Sequence, residues 1–107
     1  MCTQAVFADE DISTQEADSL IKDDIAATQV LQEICPAFVG ANKKLESNTQ
    51  KIIAMYLNGY SNKSMSLANL QNDTEFKTLL NEARQAAKQM DHHEQHELCE
   101  EMVNYKE

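Results

Sequence analysis

Residues 13–36 read STQEADSLIKDDIAATQVLQEICP, and this run sets the fold class. Ser13-Thr14-Gln15-Glu16 has the capping-box spacing, in which a serine hydroxyl and a glutamate three residues on satisfy free N–H groups at a helix start. Ala17, Leu20, Ile21, Ile25, Thr28, Leu31 and Ile34 then recur at helical steps, which predicts a stripe facing a core. Pro36 disfavours helical geometry at Cys35, so a stop or kink falls there.

The same signals continue downstream. A second helix is predicted from about Ala41 to Asn58, with Leu45, Ile52, Ile53, Tyr56 and Leu57 in period and Asn58-Gly59 as its stop. Residues 61–66 form a polar turn, and a short helix follows over Leu67–Leu70. Asn72-Asp73-Thr74-Glu75 is another capping signal, ahead of a stripe of Phe76, Leu79, Leu80, Ala83, Ala87 and Met90. Asp91-His92-His93-Glu94 either restarts a helix or continues that one, and Leu98, Met102 and Val103 carry the apolar face onward. The expected fold is all-α, a small four- or five-helix bundle forming a single helical domain over residues 13–107.

Composition narrows the function classes. The 107 residues allow one small domain and exclude a two-domain enzyme with a large cleft. With 42% hydrophobic and 25% charged residues, the chain is neither a disordered tail nor a membrane span. Two glycines and one proline are too few turn residues for an all-β sandwich or barrel.

The net charge of −9 is uneven: residues 1–33 carry −7, residues 34–90 carry +3 and residues 91–107 carry −5. Acidic terminal helices are therefore expected against a mildly basic central hairpin. Nucleic acid and anionic membrane are poor partners for this charge, because phosphates would be repelled.

Residues 1–12, MCTQAVFADEDI, read as a flexible arm or the remnant of a leader. Ala-Val-Phe-Ala ahead of Asp9-Glu10-Asp11 resembles the end of a secretory signal peptide, and Cys2 is a candidate lipid anchor of a lipoprotein. Both point to the bacterial envelope, periplasmic or secreted; an ordinary cytosolic N-terminus is the alternative. In an exported chain Cys35 and Cys99 are the natural disulfide pair, tying the last helix to the first, with Cys2 left over. A reducing cytosol would instead leave three thiols.

Asp91 to Glu100 contains all three histidines. On a helix His92, His96 and either Cys99 or Glu100 fall on one face and His93, Glu97 and Glu100 form a second, so His92, His93, His96 and Glu100 are candidate metal ligands. A disulfide at Cys99 would remove the one thiolate from that set, and a solvated polar face is the simpler alternative. In strong acid the formal charge swings from −9 to about +12, which loosens packed helices by self-repulsion.

No nucleophile elbow, phosphate-binding glycine loop, dinucleotide fingerprint or Cys-x-x-Cys is present. The expectation is a protein that is not an enzyme, needs no cofactor and acts by binding another protein.

Cys35-Pro36-Ala37-Phe38, followed by Gln50-Lys51-Ile52-Ile53-Ala54-Met55-Tyr56-Leu57-Asn58-Gly59-Tyr60, resembles the first half of the HdeA/HdeB family of periplasmic acid-stress chaperones. The resemblance covers residues 35–60. It implies a small helical periplasmic protein with one disulfide that exposes apolar surface at low pH to bind a client. The acidic helix before Cys35 fits equally a toxin-immunity or enzyme-inhibitor protein, whose acidic surface occupies a basic cleft. A homodimer is left open, and a His-rich metal-binding bundle is the remaining alternative.

Overall fold

The structure is a computed structural model that describes residues 13–106. These form six helices: α1 (Thr14–Ile34), α2 (Pro36–Val39), α3 (Lys43–Asn58), α4 (Leu67–Leu70), α5 (Thr74–Gln89) and α6 (His92–Val103). Among the described residues there is no strand, and no helix is long and apolar enough to cross a membrane. The N-terminal arm over residues 1–12 and the candidate anchor Cys2 lie outside the described residues.

Each longer helix starts where a polar side chain takes up its free N–H groups. Ser13 accepts from the Glu16 N–H at 3.1 Å, and Asn42 accepts from those of Lys44 and Leu45 at 2.8 and 3.2 Å. Asp73 caps α5 through the Phe76 N–H at 2.9 Å. The restart at Asp91 is a complete capping box: Asp91 accepts from the Glu94 N–H, and the Glu94 carboxylate accepts from the Asp91 N–H. α5 and α6 are therefore separate helices, parted at Met90, whose backbone is extended.

α1 is the spine, with α5 and α3 packed along it, while α6 lies against α3 and α2. The main core joins Ile25, Ala26 and Val30 of α1 to Ile53, Leu70, Phe76, Leu80 and Ala87. A smaller core of Cys35, Leu45 and Cys99 holds the opposite end, and Ile34 packs against both. Thr28 and Thr49 sit buried in the stripes because each hydroxyl donates to a carbonyl one turn back, Asp24 and Leu45, both at 2.9 Å.

Leu20 departs from the expected stripe: it is 62% exposed. It precedes Ile25 by five residues, which turns it about 140° away from the inward face. Lys22, outside the expected stripe, turns inward beside Ile21 and is only 8% exposed. Ala17 also faces solvent.

Candidate functional site

Cys35 and Cys99 form the disulfide, with Cα atoms 5.3 Å apart across 64 residues of sequence. Both are fully buried. Cys35 keeps helical backbone angles despite the proline that follows, Pro36 opens α2 at its first position, and Phe38 of that helix lies against α6. The bond clamps the α1–α2 corner to α6, and the candidate site lies against that clamp.

The site is a cleft of about 440 Å³ lined by Val30, Ile34, Ala37, Phe38 and Ala87, with Glu33, Arg84, Lys88, His92 and Gln95 completing it. Its size falls within the range of ligand-binding clefts. α1, α2, α5 and α6 all contribute, so it exists only in the folded bundle. A neighbouring cleft of about 480 Å³, lined by Gln32, Pro36, Ala41, Asn42, Lys43, Leu45 and Glu46, has no aromatic side chain, and its Asn42 carbonyl is already occupied as a helix cap.

Glu33 and Arg84 at the edge of the Phe38 cleft are matched to one another. Arg84 donates to both carboxylate oxygens of Glu33, from Nε at 3.0 Å and from a terminal nitrogen at 2.7 Å. That double contact lowers the Glu33 pKa and raises that of Arg84. Gln95 donates to the Ala87 carbonyl at 2.6 Å and closes the corner between α5 and α6. Among the described residues no buried side-chain nitrogen or oxygen lacks a partner. The cleft therefore offers apolar area with the Glu33–Arg84 pair on its rim, while Lys88 stands exposed beside it and makes no ion pair among the described residues.

The histidine segment is organised by packing. His96 stacks on Phe38 with ring centroids 5.7 Å apart, and His92 meets the same ring edge-on at 5.9 Å. His93 faces Glu97 at 3.4 Å and His96 approaches Glu100 at 3.9 Å, both one turn apart on exposed surface. Among the described residues no three His, Cys, Asp or Glu side chains gather where an ion could be held. The expected ligands His92, His93, His96 and Glu100 all lie on α6, where His92 and His96 pack on Phe38 and Cys99 is in the disulfide.

At the far end of α1, Lys22 meets Asp73 and Glu75, each at 3.0 Å. Burial works against its charge, but the hydrogen bonds to Asp73 and Glu75 outweigh burial and raise its pKa. The Asp73 pKa is lowered, first by the Phe76 N–H, and that of Glu75 is lowered, first by the Ser19 hydroxyl, with Lys22 adding to both. The charge pattern is only partly as expected: Glu33–Arg84 joins the acidic flank to the basic middle, while Lys22 reverses the signs.

Arg84, Gln95 and Lys22 carried no sequence signal. Their partners lie 51 residues away for Arg84, 8 for Gln95, and 51 and 53 for Lys22. Phe38 stood out only as part of the Cys-Pro-Ala-Phe run.

No curated protein and no solved structure matches the chain. One family model does, over residues 21–102, a span that contains both disulfide cysteines and every residue lining the Phe38 cleft. The chain therefore belongs to that family, described as a domain of unknown function, DUF7944.

Proposed function

We propose that the protein is a non-enzymatic binding protein of the bacterial envelope that takes an apolar side chain of a partner protein into the Phe38 cleft. The observation that carries this is the apolar lining around Phe38, beside which Arg84 is already matched by Glu33. Such a surface gains by removing apolar area from water and presents no nucleophile beside a base. The buried Cys35–Cys99 bond supports an oxidising compartment, periplasmic or secreted.

An acid-stress, chaperone-like role is a special case of this reading. It is supported by Lys22, whose two carboxylate partners lose their charge in acid and leave a buried ammonium behind. Lowering the pH to about 3 should then raise apolar-dye binding and suppress aggregation of a client protein; tight packing retained at that pH would sink this case.

The binding role is tested by placing a photo-crosslinking residue at exposed Lys88, on the rim of the cleft, in the native envelope. A partner protein is expected, and it should be lost when Ala37→Trp fills the cleft. A salt-sensitive complex with a basic enzyme that survives Ala37→Trp would instead favour an inhibitor or immunity protein acting through its acidic faces.

A further inference from the structure

The molecule is acidic, yet four of its nine basic side chains line one cleft of about 410 Å³: Lys43, Lys44 and Lys51 of α3, and Lys106 just beyond α6. Among the described residues no carboxylate lines it, and none of these four lysines makes an ion pair. Lys44, Ser47, Asn48 and Lys51 fall on one face of α3 at steps of three and four. Asn48 is 9% exposed and donates to the carbonyls of Met102 and Val103 at 2.8 and 3.1 Å. That contact pins the chain leaving α6 against α3, which sets Tyr105 and Lys106 beside the α3 lysines. Asn42 already occupies the amides of Lys44 and Leu45, so attraction for an anion rests on the side chains.

We propose that this cleft is a second binding surface, separate from the Phe38 cleft, and that it takes an extended acidic segment of a partner protein. From Lys43 to Lys51 the helix advances roughly 12 Å, too far for one phosphate to reach both ends. An extended chain covers that length in about four residues, with alternate carboxylates roughly 7 Å apart. A narrow segment meets only the lysines, whereas a broad anionic surface such as a membrane also meets the rest of a molecule of charge −9.

The test uses the full oxidised chain and amide NMR at about 20 mM salt, where charge attraction is least screened. The probe is a short peptide alternating Glu and Ser, with its Gln–Ser counterpart as control. The acidic peptide should shift the amides of residues 43–51 and 104–106, and the control should not. Binding should weaken about tenfold or more at high salt, and likewise in a Lys44→Glu, Lys51→Glu variant with unchanged circular dichroism. Ala37→Trp should leave it intact, which separates this surface from the function proposed for the Phe38 cleft. Equal shifts from inorganic pyrophosphate, sedimentation with phosphatidylglycerol vesicles through the same lysines, self-association that the double variant abolishes, or no lysine-dependent shift would each overturn the proposal.

Discussion

One oxygen of Asp73 serves two helices: Oδ2 accepts from the Phe76 N–H at 2.9 Å, capping α5, and lies 3.0 Å from the Lys22 ammonium of α1. Helix capping and helix pairing therefore depend on the same carboxylate charge. Asp73→Ala should destabilise the fold by about 1–2 kcal/mol, from the lost cap and a Lys22 left with Glu75 alone. Lys22→Met keeps the cap and the buried stem, so it should change stability by less than about 1 kcal/mol in either direction. Urea unfolding of the two variants checks the order.

Acid should loosen the same junction. The carboxyls of Asp73 and Glu75 are held below their ordinary values, so their contribution is complete above pH about 4.5 and is lost as pH falls through the depressed folded values. The raised pKa of Lys22 acts only at the alkaline end, where stability would fall as the pH climbs past the ordinary lysine range. Unfolding free energies measured from pH about 7 down to about 2.5 should decline below about 4.5. Lys22→Met should shallow that decline without removing it, because the Phe76 N–H and the Ser19 hydroxyl still favour the two charged carboxylates. An identical slope in the variant would contradict the role given to Lys22.

The disulfide closes a loop 64 residues long in sequence separation, for which chain entropy alone gives about 4 kcal/mol. The double variant Cys35→Ala, Cys99→Ala should lose stability of that order in urea or thermal unfolding. Because both cysteines are fully buried, dithiothreitol should reduce the folded protein far more slowly than the unfolded one.

With His92 and His96 turned onto Phe38, zinc, nickel and copper should bind no better than about millimolar in calorimetric titration. Micromolar affinity lost in His96→Ala would restore a metal site.

Much of the fold was legible in the sequence because its signals are local. Capping residues, the Cys35-Pro36 stop and the apolar periods place the long helices to within a few residues and Leu67–Leu70 falls as expected, whereas α2 after Pro36 was not anticipated and the break between α5 and α6 stayed open. The cysteine pair was readable from parity and an export-like leader. What stayed hidden depends on the rotation and docking of whole helices. Leu20 and Ile21 both follow Ala17 at helical steps, and it is the packing of the Ile21–Ile25 face against α5 and α3 that leaves Leu20 outside and draws Lys22 in. The Phe38 cleft combines four helices, and the histidine spacing that suggests ligands also serves to pack a ring.

The cleft assignment rests finally on affinity. The partner captured from position 88 should be titrated against the wild type, Ala37→Trp and the exposed-surface control Leu20→Ser. Filling the cleft should weaken binding about tenfold or more while Leu20→Ser leaves it unchanged. Unaltered affinity in Ala37→Trp, with loss in Leu20→Ser, would place recognition on the outer face of α1 and contradict the cleft.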